Sequence, residues 1–145
     1  LSKDERAPWH VIDAARLGCF NAAPTFSLLS FVRGEDDVFV QHANTGHGSN
    51  ELEDSADLYT VQNGHLHEIL TTPDHTVRGG LSDVPPVDQT STFLQLPGRL
   101  IEETRISWHD GLSIRAERRL WRWQTKQQLF RPTPFHEVRE TEEKR

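Results

Sequence analysis

The residues best suited to chemistry are two histidines on a predicted β-hairpin. His65 and His67 follow the dipeptide Asn63-Gly64, which accepts the positive φ angles that a two-residue type I′ turn requires. Residues two apart on a strand point to the same face of the sheet, so both imidazoles lie on one side of the hairpin. Two histidines at this spacing can chelate one divalent ion, which makes His65 and His67 the candidate metal ligands.

A working metal site needs at least one more ligand, and hydrogen-bond partners that orient the rings. The further ligands could come from His42, His47, Asp74 and His75. Their spacing does not show that they converge on the hairpin. Isolated motif-like spacings often occur without a site. Exposed polar residues on an open sheet face are therefore the favoured interpretation, and a metal-dependent enzyme is the alternative.

A second group of oxygen donors lies in the segment 44–55, which we predict to be a loop. Ca²⁺ accepts clusters of oxygen ligands, and this segment together with the residues that follow it offers Asn50, Glu51, Glu53, Asp54 and Asp57. Their order does not match the calcium loop of helix-loop-helix proteins. A solvated acidic loop is the favoured interpretation.

A third candidate surface combines arginine and tryptophan on the predicted strand 118–124. Strand alternation places Arg118 and Arg122 on one face and Trp121 and Trp123 on the other. Arginine and tryptophan dominate binding hot spots, so these four are the candidate ligand-binding residues. The favoured alternative makes the tryptophans core residues beneath a solvated row of arginines, because large aromatic side chains mostly serve burial.

The hydrophobic pattern predicts an all-β, mainly antiparallel fold of about eight strands with one short N-terminal helix over residues 9–19. The predicted strands cover residues 26–32, 38–43, 58–62, 65–71, 92–96, 100–108, 112–116, 118–124 and 127–131. A second loop is predicted over 73–89, which is rich in proline and glycine.

On the hairpin, the more apolar face is expected to meet the core. Its members are Tyr59, Val61, Leu66, Glu68 and Leu70.

The two halves of the chain resemble each other. The pentad LYTVQ at 58–62 aligns with LWRWQ at 120–124, an offset of 62 (120 − 58), and a predicted two-residue turn follows each. We therefore predict an internal duplication of two four-stranded units, at about 25–73 and 91–134, forming a barrel or a sandwich. Chance similarity between two amphipathic hairpins is the alternative. A single domain spans residues 1–145 and ends in a charged tail at 136–145.

Composition narrows the function classes. The net charge of −6 disfavours nucleic acid, which requires a basic surface. No apolar run is long enough to span a bilayer, and with Cys19 as its one cysteine the chain can form no internal disulfide. The sequence starts at Leu1 and contains no methionine, from which we expect either a removed leader or a chain trimmed to a mature domain. We favour the first and with it a secreted or periplasmic location, and a cytoplasmic location is the alternative.

The leading hypothesis is therefore an exported, non-enzymatic domain that binds a protein or a small-molecule ligand. The alternatives are the metal-dependent enzyme that uses His65 and His67, and a structural module of a larger repeat protein. No cofactor is indicated by the sequence.

Overall fold

The computed structural model describes residue 11 and residues 13–14, 24–29, 37–45, 51–79, 86–110 and 112–138. Within these residues the chain forms nine strands of one antiparallel sheet: β1 Thr25–Leu29, β2 Asp37–Thr45, β3 Glu51–Gln62, β4 His65–Arg78, β5 Val87–Leu96, β6 Leu100–His109, β7 Leu112–Gln124, β8 Leu129–Pro132 and β9 His136–Glu137. Strands β1 to β8 are neighbours in chain order, and β9 pairs with β7. The predicted all-β antiparallel class is confirmed.

The sheet curls strongly into a half-barrel. Strands of this length accumulate the right-handed twist of a sheet. Pairing between β4 and β5 covers only four residues of β4, from His75 to Arg78. The rest of β4 is free of β5 and contacts β8 instead. The two ends of the long meander are thereby brought round one core.

The hairpin of β3 and β4 has the predicted turn. Asn63 and Gly64 both have positive φ, 53° and 79°, as a type I′ turn requires. Gln62 lies opposite His65 and Thr60 lies opposite His67, as a two-residue turn at Asn63-Gly64 predicts.

Farther along the hairpin the register shifts. Leu58 lies opposite Leu70 and Tyr59 lies opposite Glu68, which leaves Ile69 as the extra residue of a β-bulge.

The predicted inward face of this hairpin is wrong on β3, and on β4 only Leu70 of its predicted members is buried. Leu58 and Thr60 are 0% exposed, whereas Tyr59 and Val61 are only half-buried. The hairpin pattern shows which of its faces is more apolar, but the curl of the whole sheet decides which one is enclosed. Leu58 belongs to the core because that curl brings β7 and β8 over it.

One apolar cluster forms the core. Its buried members, with Phe93 and Trp123 packed against them, are Leu58, Ile69, Leu70, Ile101, Trp121 and Phe130. The Trp123 and Phe130 rings meet edge to face at 5.3 Å. The placement of both tryptophans against the core, on the face opposite exposed Arg122, is confirmed.

Both predicted loops are shorter than expected. Of residues 44–55, those from Glu51 onward belong to β3, and of residues 73–89, those up to Arg78 belong to β4. Pro73 therefore lies within a strand. It is accommodated because a second β-bulge adjoins it, and bulges are among the few positions in a sheet that tolerate proline.

The structure does not confirm the internal duplication. At the aligned positions 58 and 120, Leu58 is buried and Leu120 half-buried, whereas at 59 and 121 the order is reversed, with Trp121 buried and Tyr59 half-buried. The turn after β7 also contains four residues, 125–128, where two were predicted.

The predicted N-terminal helix at 9–19 lies outside the described residues apart from 11, 13 and 14, which are not helical. Part of the predicted charged tail is ordered structure, because residues 136–137 form β9.

Replacing Leu58 by alanine tests which face of β3 is internal. A buried Leu→Ala change leaves a cavity and is expected to lower the free energy of unfolding by about 2–5 kcal/mol. Val61→Ala, on the opposite face, is the control and should cost clearly less. Urea denaturation of both variants measures the difference. Equal losses would contradict the assignment of Leu58 to the core.

Candidate functional site

The inner face of β5, β6 and β7 changes from apolar to charged along the strands. On β6 the inward residues run from Ile101 through Glu103 to Arg105, and their partners on β7 are Trp121, Arg119 and Glu117. Acidic and basic side chains therefore face each other across the two strands. The apolar end packs into the core, and the charged end forms the candidate site.

Glu103 lies at the centre of this charged end and is 0% exposed. Its Oε1 accepts a hydrogen bond from Ser91 Oγ at 2.9 Å. Its Oε2 accepts from Arg119 Nε at 2.6 Å and from Trp121 Nε1 at 2.8 Å. A buried carboxylate is tolerated only when it is paired and hydrogen-bonded in this way.

Arg119 connects this carboxylate to the far side of the half-barrel. One terminal nitrogen of its guanidinium donates to Thr72 Oγ1 on β4 at 3.1 Å, although β5 and β6 lie between the two strands in the sheet. The same guanidinium stacks 4.6 Å from the ring centre of Trp121. Glu103 and Arg119 thus tie β4, β6 and β7 together.

The C-terminal segment covers the cluster with one aromatic ring. Phe135 lies 4.0 Å from the Arg105 guanidinium and 4.2 Å from that of Arg119, which is cation–π geometry. The segment is held against β7 because the Thr133 amide donates to the Leu120 carbonyl and the Thr133 hydroxyl accepts from the Leu120 amide. Phe135 thereby restricts both guanidiniums and shields them from water.

A cleft of about 130 Å³ adjoins the cluster. Its lining residues come from β4, β5 and β6 and are Pro73, Asp74, Thr76, Gln89, Ser91 and Arg105. The cleft lies where β4 parts from β5, whose last paired residues are His75 and Thr90. Ser91 and Arg105 also contact Glu103, so the cluster forms one wall of the cleft.

Asp74 is the acidic residue of the cleft. It is the extra residue of the bulge beside Pro73, and its Oδ2 accepts a hydrogen bond from Gln41 Nε2 at 2.6 Å. Its Oδ1 is buried and has no hydrogen-bond partner among the described residues. Burial raises the pKa of the Asp74 carboxyl; the Gln41 hydrogen bond opposes this and the nearby Asp54 adds to it.

Arg105 is the basic residue of the cleft. One of its terminal nitrogens lies 3.5 Å from Glu103 Oε1, and burial lowers its pKa. A guanidinium has five N–H donors, and the described contacts of Arg105 are this ion pair and the Phe135 ring. Glu117, which lies opposite Arg105 on β7, forms an ion pair with Arg115 at 2.9 Å. Arg105 therefore keeps donors for a molecule in the cleft.

The two predicted metal ligands are solvent-exposed near the hairpin turn. The His65 side chain is 72% exposed, with Nδ1 3.4 Å from Asp13 Oδ2. Asp13 also accepts a hydrogen bond from the Leu66 amide, which lowers the pKa of its carboxyl. His67 is exposed opposite buried Thr60, so the histidines share the face that meets the core farther along. The favoured interpretation, that both histidines are exposed polar residues, is confirmed, although their face of the sheet is the one that meets the core at Leu58.

No third metal ligand accompanies these histidines in the part of the chain that the structure describes, where no group of three or more His, Cys, Asp or Glu could hold an ion. His75, one of the proposed partners, lies instead 3.3 Å from Asp54 and 3.9 Å from Asp88. The side chain of His42 and all of His47 lie outside the described residues. Metal binding by His65 and His67 stays a prediction.

The four predicted ligand-binding residues do not form one surface. Arg122 is exposed, and Arg118, on the same face, lies 3.4 Å from Glu102 as an ion pair without a hydrogen bond at its Nε. Trp121 is bound to Glu103, and Trp123 packs on Phe130 with Arg99 over its ring at 5.9 Å. Ligand binding by these four residues stays a prediction.

The residues that do converge, Asp74, Glu103 and Arg105, were not proposed together from the sequence. One signal was present, since Glu103 and Arg105 can face Arg119 and Glu117 when the two strands pair. Pairs of opposite charges also occur across strands on exposed sheet faces. Only the curl of the sheet shows that the face carrying Glu103 and Arg105 is enclosed.

Comparison with known proteins adds no relative, because no family model, curated protein or solved structure matches the chain. Among the described residues, no helix is long and apolar enough to cross a membrane.

Replacing Glu103 by glutamine tests the cluster. The change is expected to lower the free energy of unfolding by about 3–5 kcal/mol, because it leaves Arg119 buried without its counter-ion. Glu102→Gln removes a neighbouring carboxylate on the opposite face and should cost no more than about 1 kcal/mol. Urea denaturation measures both losses. A Glu103→Gln protein as stable as the control would show that the cluster carries no stability.

Replacing Asp74 by asparagine should stabilise the ligand-free protein at neutral pH. The unfolded chain releases this proton near the ordinary pKa of 3.8 and the folded chain at a higher pH. The favourable contribution of Asp74 is therefore complete below 3.8 and is lost as the pH rises through the raised pKa. Asparagine keeps an oxygen for Gln41 and removes this dependence.

The stability difference between the Asp74→Asn variant and the natural protein, measured by urea denaturation from pH 3 to pH 8, is expected to grow in favour of the variant as the pH rises. If the variant instead became less stable relative to the natural protein as the pH rises, the raised pKa of Asp74 would be contradicted.

Proposed function

We propose that this protein is a binding module that holds a small polar molecule in the cleft between β4, β5 and β6. The observation that carries the proposal is a pair of opposite charges, Asp74 and Arg105, in the lining of one cleft. The described ion pairs do not join them to each other. Asp74 bonds to Gln41, and Arg105 contacts Glu103 and Phe135.

The basic wall of the cleft is organised before any ligand arrives. Glu103 holds Arg105 from one side and Phe135 covers it from another. Glu103 is itself fixed by three donors, from Ser91, Arg119 and Trp121. Fixing a charged group in advance lowers the entropy that binding must remove.

The acidic side of the cleft, formed by Asp74, contains a carboxylate oxygen that accepts no hydrogen bond from the described residues. A buried acceptor without a partner costs about 1–3 kcal/mol, and Asp74 Oδ1 is such an acceptor among the described residues. A ligand that donates to this carboxyl recovers that loss. Because the oxygen is covered in the ligand-free protein, binding to it requires the Asp74 side chain to move.

The size and chemistry of the cleft favour binding over catalysis. Its volume of about 130 Å³ is below the 300–1,000 Å³ of pockets for drug-sized molecules, so a ligand of metabolite size fits. The lining contains no histidine or cysteine. Its one serine, Ser91, uses its proton to bind Glu103, and both oxygens of Glu103 are occupied by donors.

Titration of the ¹⁵N-labelled full chain with single small polar compounds tests the proposal. The compounds are carboxylic acids, primary amines, amino acids and polyols at millimolar concentration. At least one class is expected to produce saturable shifts of the backbone amides of Thr76, Gln89 and Ser91. The shifts should weaken at least fivefold in Asp74→Asn or in Arg105→Lys, since both charges line the cleft.

The control is Asp110→Asn, which removes a carboxylate that is 89% exposed in the turn after β6 and should leave the titration unchanged. Two results would contradict the proposal. One is the lack of saturable shifts at the cleft for every compound. The other is binding that Asp74→Asn and Arg105→Lys both leave unaltered.

A further inference from the structure

We infer that the ligand of this cleft is a small zwitterion, with an anionic group that binds Arg105 and a primary ammonium that binds Asp74. The inference rests on the proposed function and names the chemical class of its ligand. It is argued from the position of the two charges, from the acceptors between them and from the charge of the neighbouring cluster.

The two charges come from opposite sides of the cleft. Asp74 belongs to β4 and Arg105 to β6, with Gln89 and Ser91 of β5 between them in the strand order. Two strand spacings separate the backbones of β4 and β6 by about 10 Å where a sheet is regular, and the side chains shorten that span. A molecule of a few bonds with one charge at each end matches this arrangement.

The cluster next to Arg105 has more positive than negative charge. Glu103 is one carboxylate for two guanidiniums, those of Arg105 and Arg119, and the nearby Glu117 pairs with Arg115. The better-placed hydrogen bond of Glu103 goes to Arg119, at 2.6 Å against 3.5 Å for Arg105. Arg105 therefore shares the charge of Glu103 with Arg119, and an anionic group of the ligand adds a second counter-charge for it.

The middle of the cleft offers acceptors for an ammonium. Ser91 Oγ donates its proton to Glu103, and Gln89 Nε2 donates to Ser107 Oγ at 3.0 Å. These bonds leave the Ser91 hydroxyl oxygen and the Gln89 amide oxygen as acceptors. A primary ammonium has three N–H donors, and it can divide them between Asp74 and these two oxygens.

Burial disfavours the charged forms of both Asp74 and Arg105 in the ligand-free protein. Burial raises the pKa of Asp74 and lowers that of Arg105, so each charged form gains from a counter-charge. A ligand with one charge satisfies one of them and leaves the other unmatched. A zwitterion satisfies both and leaves the net charge of the cleft unchanged.

The test is a titration of the full chain with defined probes, followed by the backbone amides of Thr76, Gln89 and Ser91. The zwitterions are glycine, β-alanine and γ-aminobutyrate, which increase the separation of the two charges step by step. The matched single charges are acetate and methylammonium, and glycerol is the neutral probe. At least one zwitterion is expected to bind tenfold or more tightly than all three of these.

Variants assign each end of the ligand. Asp74→Asn should reduce zwitterion affinity at least tenfold while leaving acetate binding within twofold. Arg105→Gln should reduce both zwitterion and acetate affinity, and Arg105→Lys, which retains the charge, should restore part of it. Thermal unfolding checks that each variant is folded, and Asp110→Asn is the control that should match the natural protein.

The outcomes separate this inference from the proposed function. Acetate, methylammonium or glycerol binding at the cleft as tightly as the best zwitterion would overturn the zwitterion and leave a binding module for another ligand class. Saturable binding by none of the probes here and none of the compounds in the broader titration would overturn both.

Discussion

The whole arrangement depends on one buried carboxylate. Glu103 is fully enclosed, and an ionised group in that position requires donors on both oxygens. Those donors come from β5 and β7, and Arg119 extends the network to β4. Placing this carboxylate inside therefore fixes the relative positions of strands that do not all pair with one another. The network thereby links strands that the curl of the sheet brings together, and it forms one wall of the cleft.

The network also divides the interior into two parts. On one side, Trp121 hydrogen-bonds to Glu103 and packs in the apolar core with Ile101 and Phe130. On the other side, Ser91 and Arg105 bind Glu103 and line the cleft. The charged end retains Asp74, a buried and imperfectly paired group, and such local losses are typical of sites that bind.

Features that depend on neighbouring residues along the chain could be predicted from the sequence. The all-β class, the Asn63-Gly64 turn and the pairing of Thr60 with His67 follow from alternation and turn chemistry. The strand bounds follow less well, because the strands predicted at 112–116 and 118–124 are the single strand β7. The inward face of that hairpin did not follow, because it is set by the curl of the sheet and by the bulge at Ile69. The tryptophans were correctly placed in the core, yet their link to Glu103 could not be seen.

The site was missed for the same physical reason. Asp74 and Arg105 lie 31 positions apart (105 − 74) on strands that are not neighbours, and Pro73 made this part of β4 resemble a loop. The histidine pair could be recognised in the sequence because its two members are close along the chain. The charges that share the cleft are brought together only by the fold.

The central claim is that Glu103 and Arg119 act as one unit, and a double-mutant cycle tests it most directly. The free energies of unfolding of Glu103→Gln, Arg119→Gln and the double variant are measured by urea denaturation. A direct buried pair predicts that the double variant loses less than the sum of the single losses, with a coupling of about 1 kcal/mol or more. Additive losses would contradict the account.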